Sequence, residues 1–99
     1  MTMNQNTLTP EERHITSLMN NGVCIKRPDG TKEPLTMDFY RSAVQQCSDK
    51  GFNAITYEIE LPGIEGDFQI AFWRDGHVDS GSEEIVLHCM ENHWGGQRA

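Results

Sequence analysis

Two short stretches decide the fold: Ile55-Thr56-Tyr57-Glu58-Ile59-Glu60-Leu61 and Phe68-Gln69-Ile70-Ala71-Phe72-Trp73. In the first, Ile55, Tyr57, Ile59 and Leu61 alternate with Thr56, Glu58 and Glu60, the period of two that marks a half-buried antiparallel strand. In the second, Phe68, Ile70 and Phe72 alternate with Gln69, Ala71 and Trp73. Pro62 to Asp67 has the length of a hairpin loop, and Arg74-Asp75-Gly76 turns the chain again after the second strand. A hairpin is therefore the predicted centre of the domain.

Upstream of it the period changes to that of a helix. Thr36 can cap a helix in which Phe39, Tyr40, Ala43, Val44 and Cys47 share one face, and Gly51 supplies the stop. Thr9-Pro10-Glu11-Glu12 carries a cap, a proline at the first helical position and the glutamate of a capping box. Ile15, Leu18 and Met19 then form a stripe that ends at Asn20-Asn21-Gly22, with His14 at its solvent-side boundary. Between these helices, Val23 to Lys26 and the turn Arg27-Pro28-Asp29-Gly30-Thr31 predict a hairpin over 23–35 whose return strand is cut short by Pro34. The basic residues at its tip, Lys26, Arg27 and Lys32, are nearly offset by Asp29 and Glu33.

Downstream, Asp79 to Glu84 reads as the start of a last helix, with Ser80 three residues before Glu83 and acids in the first turn. Ile85, Val86, Cys89, Met90 and His93 repeat the apolar spacing of the second helix, and Gly95-Gly96 ends it. A strand over Glu84 to Met90 is the competing assignment, because Ile85-Val86-Leu87 is β-prone. The expected architecture is α+β, a small antiparallel sheet of two hairpins with about three helices packed on one face. Residues 1–8 form a flexible tail, 9–94 one compact domain and 95–99 a second tail.

With 99 residues the chain has apolar side chains for only one core. No apolar run reaches the roughly 18 residues that cross a bilayer, and Met1 to Pro10 has neither the basic nor the apolar region of a secretory signal. Cys24, Cys47 and Cys89 are odd in number and irregularly spaced, which suits reduced thiols in a cytoplasmic protein better than a disulfide framework. A Cys24–Cys47 bridge is not excluded by the spacing.

Charge separates the two halves of the chain. Residues 1–50 carry six acids and six bases, whereas residues 51–99 carry nine acids against Arg74 and Arg98, so the net charge of −7 belongs to the second half. Such a surface repels phosphate backbones and anionic membranes and suits a basic protein partner. Homo-oligomerisation is left open.

Catalytic chemistry has little to stand on. No GxSxG, P-loop, GxGxxG or HExxH occurs, and no cofactor or catalytic residue is assigned. In Leu87-His88-Cys89-Met90-Glu91-Asn92-His93-Trp94, Cys89 and His93 share a helical face, while His88 points about 140° from His93. A metal-binding module would thus need distant ligands from Cys24, Cys47, His14 or His77. A small thiol enzyme needs a cysteine and a histidine brought together by the fold. Glu58 and Glu60 share a strand face, and a solvated ladder explains them better than acid/base chemistry. That same face carries Trp73, an indole among carboxylates, and aromatic anchors ringed by polar groups are what protein interfaces use. The expected partner-binding residues are Glu58, Glu60, Gln69, Trp73 and Asp75. The expected function is a small acidic, non-enzymatic protein-binding module, of a size and charge that suit an inhibitor, an immunity-type protein or a mobile-element accessory protein.

Overall fold

The computed structural model describes residues 8–97, with side chains through Glu91. The elements follow in the order α1 (Pro10–Asn20), β1 (Cys24–Lys26), β2 (Lys32–Pro34), α2 (Met37–Lys50), β3 (Ala54–Glu60), β4 (Phe68–Trp73), β5 (Val78–Ser82) and α3 (Glu83–Gln97). All five strands belong to one antiparallel sheet in the order β2-β1-β3-β4-β5. The fold is α+β. Among the described residues no helix is long and apolar enough to cross a membrane.

The local signals act as physics requires. The Thr9 hydroxyl accepts the Glu12 N–H at 3.0 Å while the Glu12 carboxylate accepts the Thr9 N–H at 3.0 Å, which completes the capping box of α1. At the start of α2 the Thr36 hydroxyl accepts the Phe39 N–H at 3.0 Å. Gly51 takes a left-handed conformation at its end, φ +73°, and lets the Phe52 N–H reach the Cys47 carbonyl at 2.9 Å. The 23–35 hairpin forms with β2 stopping at Pro34, and the Asp29 carboxylate ties its turn by accepting from both the backbone and the hydroxyl of Thr31.

The β3–β4 register places Ile55 opposite Phe72, Tyr57 opposite Ile70 and Ile59 opposite Phe68 on one face of the sheet. Ile15 of α1 and Tyr40 and Ala43 of α2 pack against that face with Ile25, Leu35 and Val78. Phe72 is wholly buried at its centre, its ring 5.9–6.1 Å from those of Phe39, Tyr40 and Tyr57. Tyr40 donates its hydroxyl to the Gly76 carbonyl at 2.6 Å and so pins α2 to the β4–β5 turn.

The other face departs from expectation. Ala71, Trp73 and Val86 form a second buried cluster, joined by Ala54 and Met90, so α3 lies across the sheet from α1 and α2 rather than beside them. Nor is the sheet limited to two hairpins, because Val78 to Ser82 is a third partner strand, paired with β4 from Phe72↔Val78 to Phe68↔Ser82. The sequence 78–82 lacks the apolar alternation of a strand because β5 is an edge that contributes only Val78 to the core. The helix begins two residues later than Ser80 would have capped it, with the Ser82 hydroxyl accepting the Ile85 N–H at 3.4 Å. Helix, not strand, is the state of residues 84–90, and it continues through Gly95 and Gly96 to Gln97. Small residues make the overlay close. Ala54 and Ala71 offer no bulk beneath α3, and a Cβ added at Gly81 (φ +151°) would meet Ile85 Cγ2 at 3.4 Å.

Because Trp73 is only 4% exposed, Trp73→Ala is expected to lower the free energy of unfolding by about 3–5 kcal/mol, the cost of emptying a buried aromatic site. Urea denaturation checks this, and a loss below about 1 kcal/mol would mean that α3 does not cover the indole.

Candidate functional site

The expected interface residues do not form one surface. On the α3 side of the sheet, Glu58 lies opposite Lys26 on one neighbour strand and Gln69 on the other, and Glu60 lies opposite Cys24. Lys32 of the edge strand β2 forms an ion pair with Glu60. Glu58, Glu60 and Gln69 thus share the half of this face that α3 leaves open, and Lys26 and Lys32 balance its two carboxylates. Trp73 sits at the far end of β4, roughly 13 Å along the strand from Gln69 by its rise per residue. It is covered by α3 and meets the His77 ring edge-on at 5.3 Å. Asp75 lies in the β4–β5 turn, where its carboxylate accepts the His77 N–H at 3.0 Å. The acidic, tryptophan-bearing face expected from the sequence is therefore two surfaces, a charge-balanced ladder and a helix-covered indole.

A different recess lies beside the covered indole. Phe52, Ala54, Trp73, Leu87, Met90 and Glu91, with Asn53 at one end, line a groove of about 500 Å³. Its walls come from three directions. Phe52 is fixed by the left-handed closure of α2, Ala54 and Trp73 are register partners of β3 and β4, and Leu87 to Glu91 is one turn of α3. The Arg74 N–H donates to the Asn53 carbonyl at 3.0 Å, which extends the β3–β4 ladder past Trp73 and holds the groove's end. Phe52 and Leu87 remain 43% and 49% exposed. Neither is prominent in the sequence: Phe52 follows a helix-ending glycine, and Leu87 falls outside the apolar stripe of its helix. The usable signal was Ile70-Ala71-Phe72-Trp73, an unbroken apolar run that marks a strand covered on both faces.

Several titratable groups have defined contacts within the fold. All three cysteines are free thiols. Cys47 is wholly buried with its thiol 3.5 Å from the Phe72 carbonyl, and burial pushes its pKa up, with Arg74 opposing. Burial likewise pushes the Cys89 thiol up, helped by the charge of Asp79 and a hydrogen bond with its carboxylate. Cys47 lies on the α2 side of the sheet and Cys89 on the α3 side, so these two thiols do not share a site. Among the described residues no group of three or more His, Cys, Asp or Glu side chains could hold a metal ion, and the side chains of His93 and Trp94 lie outside those residues. His77 has Asp79 Oδ2 3.2 Å from one ring nitrogen and Glu11 Oε2 3.9 Å from the other, which ties β5 to α1. His14 lies 3.1 Å from the Ser80 hydroxyl. A hydroxyl beside an imidazole is a beginning of nucleophilic chemistry, but this pair sits on the α1 side of the edge strand, across the sheet from the groove. The chain matches no family model, no curated protein and no solved structure.

Two measurements follow from these environments. Lys32 holds the Glu60 carboxyl below its ordinary value of 4.5, and Glu60 holds Lys32 above its ordinary 10.5. The pair's small contribution to stability is therefore present between about pH 4.5 and 10.5. It is lost as acid carries Glu60 through its lowered pKa or as base carries Lys32 through its raised one. Glu60→Gln should be slightly less stable than the parent at pH 7 and indistinguishable from it in strong acid, as read by thermal melts across pH. For the thiols, iodoacetamide at pH 7.5 should label Cys47 and Cys89 more slowly in the folded chain than in urea. Labelling of Cys89 faster in the folded chain would reinstate a reactive thiol.

Proposed function

We propose that the chain is a small acidic protein-binding module that performs no chemistry of its own and docks on a basic surface of a partner protein, as an inhibitor or immunity-type accessory would. The observation that carries this reading is how the carboxylates are distributed once the chain is folded. On the open half of the sheet they face Lys26 and Lys32. Along α3, by contrast, Glu83, Glu84 and Glu91 are exposed on a helix that has no lysine or arginine between 83 and 97. Carboxylates in that setting give a long-range attraction for a cationic surface and speed its encounter more than they raise final affinity. Of the remaining acids of the second half, Asp75 and Asp79 are taken up by backbone and histidine contacts of the β4–β5 turn, while Glu65 and Asp67 are exposed in the β3–β4 loop.

The reading fixes which charges matter. With a partner identified by cross-linking in the source cell, Glu84→Lys/Glu91→Lys should slow association by about tenfold or more at low salt and flatten its salt dependence. Glu58→Lys, on the balanced face, should change the association rate little. Surface plasmon resonance across ionic strengths checks both, and equal effects from the two surfaces would overturn the assignment to α3.

A further inference from the structure

The groove beside Trp73 carries the argument further, on the basis of the binding function just proposed. Glu83, Leu87 and Glu91 stand at i, i+4 and i+8 of α3, one row on the helix surface. Leu87 is thus an exposed apolar knob with a carboxylate one turn to either side, the two acids spanning about 12 Å along the axis. Across the groove stands Phe52, and Ala54, Trp73 and Met90 form the floor. Each described wall residue belongs to a regular element or its hydrogen-bonded cap, which holds the recess in shape and reduces the entropy lost on binding.

Size and setting narrow the occupant. A volume of about 500 Å³ lies within the range of small-molecule sites, roughly 300–1,000 Å³. A small apolar molecule would nevertheless leave the half-exposed Phe52 and Leu87 facing water, whereas a protein surface covers the rim while one of its side chains fills the floor. A second copy of this chain would bring two acidic α3 rows together, an arrangement opposed by like charge. Arg74, with its guanidinium 3.4 Å from the Oδ1 of the groove-lining Asn53, places one cation beside the recess.

We infer that the groove is the anchor site for a basic segment of the partner protein, taking one large apolar side chain between Phe52 and Leu87 while flanking lysines or arginines meet Glu83 and Glu91. The row of acid, apolar knob and acid on α3 is matched by base, apolar side chain and base on the partner, lying along α3.

Synthetic helical peptides test this on the full chain. One carries a leucine and phenylalanine face flanked by lysines; a second has those apolar residues replaced by alanine; a third has glutamate for each lysine. Titrated into isotopically labelled protein, the first should shift the NMR signals of Phe52, Ala54, Leu87 and Met90, and the other two should bind at least about tenfold more weakly. Leu87→Gln and Phe52→Gln should each weaken the first peptide about tenfold with an unchanged melting temperature, since both side chains are already half exposed. Binding that survives both groove variants but is lost in Glu83→Lys/Glu91→Lys overturns the anchor site and leaves the basic-partner reading standing. Binding that needs the groove but is indifferent to the charge reversal overturns the basic partner. Absence of any shift with the first peptide at about 1 mM overturns the inference outright.

Discussion

Phe72 and Trp73 are neighbours in sequence, and because successive side chains on a strand point to opposite faces, one enters the α1–α2 core while the other enters the cluster under α3. The whole arrangement depends on that adjacency. A one-residue slip of β4 against β3 would exchange the two aromatic rings and bring Gln69 to the face that Ile70 now fills, so the register is strongly specified. Phe72 gathers the rings of Phe39, Tyr40 and Tyr57 around itself, and Trp73 gives α3 something to rest on. The sheet becomes the middle layer of a three-layer domain built from very few residues.

What could be read from the chain was the part governed by local rules. The caps at Thr9 and Thr36, the turn at Asp29-Gly30 and the alternation of β3 depend on neighbours within a few positions, and each behaves as those neighbours dictate. The placement of α3 depends on a long-range contact between Val86 and Trp73, and amphipathic periodicity says which side of a helix is buried but not which side of a sheet buries it. Strand β5 was hidden for the complementary reason. Its pairing comes from backbone groups of β4, while Asp79, Ser80 and Ser82 look like the polar start of a helix. The small residues Ala54, Ala71 and Gly81 were the available hint, since a polar sheet face does not need them and a helix laid across the sheet does.

The same misplacement accounts for the candidate site. Glu58 and Glu60 look uncompensated along the sequence because Lys26 and Lys32 are distant in it, and only the β1–β3 pairing brings the opposite charges together. Trp73 looks exposed only while α3 is assigned to the other face. Once both are corrected, acid without a facing lysine lies on α3 and in the β3–β4 loop, and the exposed apolar surface beside the indole belongs to Phe52 and Leu87, residues that no motif singles out. The acidic character read from the composition is unchanged; its location on the surface is not.

Helix α3 is joined to the rest through the smaller of the two apolar clusters, with Val86 as its one wholly buried described side chain, whereas α1 and α2 share the larger one. Local opening free energies follow the apolar contact a segment must give up, so, judged by the described side chains, lifting α3 would cost less than opening the α1–α2 side of the sheet. Lifting it separates the acidic ridge from the indole in one event. Hydrogen-exchange protection would then be graded across the molecule, deepest in β3 and β4 and shallower along the helix that carries the charge.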